Sequence, residues 1–145
     1  MPVLGASSND WNAEAFWHLG WGDSGVHKGI DIFADAGTSV ISATAGLVLF
    51  TGERSLGGKV VLVLGPGGFA HYYAHMDTIG VRFLQLVDRG QHIGTVGTTG
   101  NAANKAPHLH YSVLRPLPDL RRYTATEHGV ERMFYLDPND YLGAR

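Results

Sequence analysis

The 145-residue chain has no cysteine, which removes disulfides, thiolate nucleophiles and cysteine-ligated zinc together. Any metal must then be held by imidazole and carboxylate. No apolar run approaches the roughly 18 residues of a membrane span, and the N-terminus lacks the basic-then-apolar pattern of a leader. Membrane attachment is therefore expected only through a segment outside this sequence. Nor is there an excess of charge of one sign. Eleven basic and thirteen acidic residues leave −2, so no positive field is available to hold nucleic acid. Proline is scarce at 6 residues, whereas glycine reaches 20 and the apolar segments are short. That balance, with 44% hydrophobic and 17% charged residues, predicts one mainly β domain of short strands and tight turns.

The eight histidines are the main chemical asset. Pro107-His108-Leu109-His110-Tyr111 puts two of them one residue apart, so on a strand His108 and His110 share one face and Leu109 and Tyr111 the other. A rise of roughly 3.3 Å per residue separates the pair by about 7 Å at Cα, which suits flanking one bound water. Such spacing lets one hold a metal while the other handles a proton. His27-Lys28-Gly29-Ile30-Asp31-Ile32-Phe33 offers an imidazole and a carboxylate four residues apart. Gly29, Ile30 and Ile32 favour a turn entering a strand over a helix, and Gly29 is expected to bend the backbone so that both side chains converge. In Phe69 to Met76, alternation predicts His71, Tyr73 and His75 on one face, with Ala70, Tyr72 and Ala74 on the other.

Around these stretches, residues 1–26 read as an irregular lead-in whose Trp11, Phe16, Trp17 and Trp21 pack over the domain or line a groove. Strands are expected at Val40 to Ala43, Leu47 to Thr51, Val60 to Leu64 and Val81 to Val87. The glycines between Gly90 and Asn101 fit turns and not a phosphate cradle, since no helix follows in the needed register. Pro116 and Pro118 end the last long strand, and residues 116–145 form an extension of the same domain. Asp137-Pro138 predicts a capped short helix over Pro138 to Leu142. His18, His92 and His128 have no sequence partners and are expected in solvent.

His27-Lys28-Gly29-Ile30-Asp31-Ile32, Gly37-Thr38-Ser39-Val40 with Ala43 and Gly46, Tyr73-Ala74-His75-Met76, Gly90-Gln91 with Ile93-Gly94, Val96-Gly97 with Thr99-Gly100-Asn101, and Pro107-His108-Leu109-His110 follow one another in order. This succession resembles the lysostaphin-like, or LytM-type, zinc metallopeptidases that cut the peptide part of bacterial cell walls. The resemblance implies a catalytic core over 27–115 and antiparallel sheets in a barrel-sandwich-like core, the duplicated hybrid motif, with a groove walled by loops. It implies that His27, Asp31 and His110 bind one Zn2+, that His75 and His108 are the catalytic pair, that peptidoglycan peptide is the substrate, and that the cell envelope is the location. Some members carry a tyrosine upstream of the first metal histidine; here Trp21 lies near that place, and Tyr73 is expected to be structural. Two other readings stay open: a catalytically silent relative that binds or activates other wall hydrolases, and a histidine phosphocarrier of similar architecture.

Overall fold

The computed structural model describes residues 1–142. Its strands are β1 (Leu19–Trp21), β2 (Gly25–Val26), β3 (Ile30–Phe33), β4 (Ser39–Ile41), β5 (Gly46–Arg54), β6 (Gly58–Leu64), β7 (Ala70–Ile79), β8 (Leu86–Val87), β9 (His92–Val96), β10 (His108–Leu114) and β11 (Tyr135–Leu136). Two single-turn helices, α1 (Gly129–Arg132) and α2 (Asn139–Leu142), lie near the end. All pairings are antiparallel. The main sheet runs β11-β10-β7-β6-β5-β8, with β3 also on β10 and β9 joining β4 to β7. The fold is thus mainly β with a sandwich-like core, as the composition suggests.

Alternation along the strands decides what is buried. Leu109, Tyr111 and Val113 of β10, Val61 and Val63 of β6, and Ile30 and Ile32 of β3 fill the core with Tyr73 and Met76. His108, His110, Ser112 and Leu114 emerge on the other face of the sheet and line a groove. The predicted two-face reading of the His108/His110 strand therefore holds.

Strand β7 departs from simple alternation. Lys59 pairs with Met76 but Val61 pairs with Tyr73, so two residues of β7, Ala74 and His75, stand opposite the single Val60. His75 adopts φ 62°, the left-handed region, and this bulge resets the phase of the strand. Met76 consequently joins Tyr73 in the core. The expected common face of His71, Tyr73 and His75 is corrected here: His71 and Tyr73 point to the core side, whereas His75 lies on the groove side with Tyr72 and Ala74.

Other expectations shift for local reasons. Of Val81 to Val87 only Leu86 and Val87 form a strand, because the Gln85 side chain accepts from Arg82 N at 3.1 Å and closes a turn in which Leu84 sits at φ 62°. The lead-in is less irregular than expected, since Leu19 pairs with Val26 in the β1–β2 hairpin. Trp11 is buried, bridges Ile32, and donates from Nε1 to Asn139 Oδ1 at 3.1 Å. At the far end β11 adds to β10 beside Val113 and Leu114. The expected terminal helix is present, with Asp137 Oδ1 accepting from Asn139 N at 3.0 Å.

Candidate metal centre and groove

β3 and β10 run side by side with Asp31 opposite His110, and β7 flanks β10 with Ala74 opposite His110. This register gathers the polar groups. Asp31 Oδ1 lies 3.0 Å from His27 Nε2 and 2.9 Å from His110 Nδ1, and those two nitrogens are 3.2 Å apart. His27 reaches the cluster because the turn after β2 packs tightly on β10. A Cβ on Gly29 would stand 2.3 Å from Tyr111 O and 2.9 Å from His110 Nε2. Gly29 is thus required for close approach, not for the backbone bend expected from sequence, and its φ is not among the positive ones.

The outer nitrogens fix which atoms face inward. His27 Nδ1 donates to the Ala15 carbonyl at 3.0 Å, so a neutral His27 turns the lone pair of Nε2 toward Asp31. Two acceptors 3.0 Å apart repel unless a positive charge sits between them. His110 Nε2 has Ser112 Oγ at 2.9 Å as its own partner, leaving Nδ1 for the cluster. Burial alone would raise the Asp31 pKa; the His110 and His27 hydrogen bonds and charges outweigh it and hold the carboxyl well below its usual range. These three side chains form a group able to hold a metal ion. Their mutual spacing is close to the edge of about 3.3 Å expected for zinc with N and O ligands at about 2.0–2.1 Å. The donor set fits a borderline-soft divalent ion.

His75 and His108 stand beside this group. Their ring centroids are 5.0 Å apart, and His75 is 5.9 Å from His110. Each has its Nδ1 tied to a carbonyl, Thr99 O at 2.9 Å for His75 and Ala106 O at 2.8 Å for His108. Both therefore turn Nε2 away from those carbonyls, and both line the groove. Burial, then the neighbouring His110 and His108 charges, lowers the His75 pKa to about 4 against weaker opposition from Thr99 and Asp31. The left-handed backbone at His75 is held by His75 N donating to Gly57 O at 2.7 Å.

The groove has a volume of about 650 Å³ and includes all five of these residues. Trp21 lines the groove, one of the two places expected for it, and stacks on His27 with centroids 4.3 Å apart and 20° between planes. Tyr73, fully buried, accepts from Ala43 N at 2.9 Å; burial raises its pKa to about 12, as befits a structural tyrosine. His92 is exposed, as expected, though it meets Ser39 Oγ at 2.6 Å, whereas His128 is half-buried and meets Glu131 Oε2 at 2.8 Å. His18 is exposed, edge-on to Trp21.

This antiparallel β sandwich carries a His-Asp-His cluster in an open groove. Residues 25–121 match peptidase family M23, and the chain belongs to that family. Among its relatives, the L-Ala–D-Glu endopeptidase of Bacillus subtilis (strain 168) is 32% identical over 82% of this chain and 42% of the relative. The murein hydrolase activator NlpD of Escherichia coli (strain K12) is 34% identical over 61% of this chain and 23% of its own length. The catalytic domain of lysostaphin from Staphylococcus simulans superposes with a TM-score of 0.69 at 26% identity, covering 87% of this chain and 85% of that domain. The chain spans less than half the length of these two curated relatives.

Proposed function

We propose that this chain is a zinc endopeptidase that hydrolyses peptide cross-links of peptidoglycan in the cell envelope, with His27, Asp31 and His110 as metal ligands and His75 and His108 as the proton-handling pair. The carrying observation is the convergence of three ligand atoms within 4.8 Å beside two imidazoles whose Nδ1 atoms are already committed to carbonyls. When bound, zinc would lower the pKa of a water toward about 7 and polarise the scissile carbonyl. The protein's own groups complete the reaction. His75 is neutral at ordinary pH, with Nδ1–H held by Thr99 O, so its Nε2 is free to take a proton from the attacking water. His108 Nε2 lies 3.9 Å from Asp31 Oδ2 in the same groove, where a proton passed to it can be presented to the developing oxyanion.

The test is zinc content and digestion of purified sacculi. Asp31→Ala should lose both, because removing one of three ligands leaves two acceptors that hold the ion poorly. His108→Ala should keep zinc and lose most activity. Equal metal loss in the two variants would show that their roles are misassigned. The relative named a murein hydrolase activator supports a second reading, in which the chain binds other wall hydrolases without cleaving. A protein that stays metal-free and inert on sacculi would favour that reading; the presence of all five groups in one groove supports hydrolysis.

A further inference from the structure

A second cavity, of about 390 Å³, opens on the core side of the sheet, away from the metal groove. Its walls are Phe69, Pro66 and Tyr141, with Thr44, Arg89 and His71 supplying polar atoms. His71 is 2% exposed and its Nδ1 lies 2.7 Å from the Tyr111 hydroxyl. Tyr111 is itself fully buried, and among the described residues His71 is the hydrogen-bond partner of its hydroxyl. A buried phenol with one partner donates to it, because an orphaned O–H costs more than an unused lone pair. Tyr111 therefore donates to Nδ1, and neutral His71 carries its hydrogen on Nε2.

That Nε2–H is directed at the cavity margin, where a Cβ on Gly65 would stand 3.4 Å from it. Thr44 Oγ1 spends its hydrogen on Ala45 O at 2.9 Å. Arg89, exposed in the turn after β8, brings a guanidinium to the same cavity and has no side-chain partner among the described residues. Tyr141 packs edge-on against His71 with centroids 5.2 Å apart. The polar lining thus includes the Nε2–H of a buried histidine, the Thr44 hydroxyl oxygen and one cation, the carboxylate Asp140 lies on the helix turn next to Tyr141, and the other lining residues are aromatic and aliphatic.

We infer that this cavity is a second binding site, for a small carboxylate borne on an apolar body, with His71 Nε2–H and the Arg89 guanidinium receiving the carboxylate and Phe69 and Tyr141 covering the body. The inference goes beyond the peptidase reading and does not depend on it. The volume is at the lower end of small-ligand sites, and a charge-assisted pair with one further N–H is the donor set that separates a carboxylate from a neutral amide.

Benzoate is the probe, with benzamide as its neutral counterpart, added to the purified protein while the histidine side-chain nitrogens are followed by NMR. Benzoate should shift His71 Nε2 saturably in the millimolar range, and benzamide should bind about tenfold more weakly. Arg89→Gln removes the cation from an exposed turn, so the fold is not at issue, and should weaken benzoate about tenfold. Gly65→Ala, at a position with negative φ, puts a methyl 3.4 Å from Nε2 and 2.7 Å from Thr44 Oγ1, which must move aside, and should abolish the His71 shift. A shift confined to His75 and His108, one that benzamide reproduces, or one that survives both substitutions would overturn the site.

Discussion

His71 and His75 stand on the same strand, four residues apart, both buried and both with a pKa lowered to about 4 chiefly by burial. By those measures they are the same residue twice. Their surroundings differ entirely. His71 faces Tyr111, Tyr141 and the core, while His75 faces His108, His110 and the acid of β3. Depressed basicity therefore marks a buried imidazole and does not mark a catalytic one. What separates the two is the bulge at His75, which spends one residue in the left-handed region to move an imidazole from the core side to the groove side. Such a conformation costs on the order of 1 kcal/mol or more in a non-glycine residue, and the bonds that His75 donates to Gly57 O and Thr99 O offset it.

The largest effect that sharpens this contrast is expected at the cluster beside His75. Asp31→Ala should abolish zinc retention and hydrolysis, read by metal analysis and turbidity of sacculi. Next comes His75→Gln, which keeps a side chain able to bond Thr99 O but cannot accept and release a proton at Nε2. Activity should fall by about a hundred- to ten-thousandfold with zinc still bound. Metal loss in this variant would place His75 among the ligands and break the distinction.

At the other end of the strand the loss falls on stability. His71→Phe orphans the buried Tyr111 hydroxyl, a cost of about 1–3 kcal/mol at neutral pH, while zinc stays bound. The pH dependence carries the sharper signature. Below 6.5 the unfolded chain binds a proton at His71 that the folded chain refuses until about 4. This group therefore contributes its full share of stability above 6.5, a share on the order of 1–3 kcal/mol after solvent screening that is lost as pH falls toward 4. Chemical denaturation of the two proteins side by side should show the deficit of His71→Phe shrinking with acid. Parallel pH curves would mean that His71 titrates normally and is not shielded.

Much of this was legible in the sequence, and the exceptions have physical causes. Period-two alternation correctly assigns the faces of His108, Leu109, His110 and Tyr111, because β10 is extended without interruption. The same rule misplaces His75 relative to His71. Alternation presumes β-region φ at every residue, and nothing in Tyr73-Ala74-His75-Met76 announces a left-handed histidine. The His27, Asp31 and His110 grouping could be expected from ordered motifs, but the reason for Gly29 could not: the clash is with Tyr111 O, from a strand some eighty positions away. Strand β8 was overextended because Phe83 and Leu84 read as apolar, while the Gln85 side chain that closes the turn is a tertiary detail.

The smallest effect tests how firmly the last segment holds the groove side. Glu131 of α1 receives Lys28 Nζ at 2.7 Å on one oxygen and His128 Nδ1 at 2.8 Å on the other. Lys28 follows His27 directly, so this contact ties the terminal segment to the turn carrying the His27-Asp31-His110 cluster. The Lys28 bond, aided by the His128 bond, lowers the Glu131 pKa despite some burial. Yet Glu131 is 41% exposed and Lys28 24% exposed, so water and salt screen most of the attraction. Glu131→Gln should cost about 0–1 kcal/mol, less at high salt, with zinc content unchanged. A loss of zinc on this single exposed change would mean that the terminal segment sets the position of His27, and that the cluster's geometry is not secured by β3, β10 and Gly29 alone.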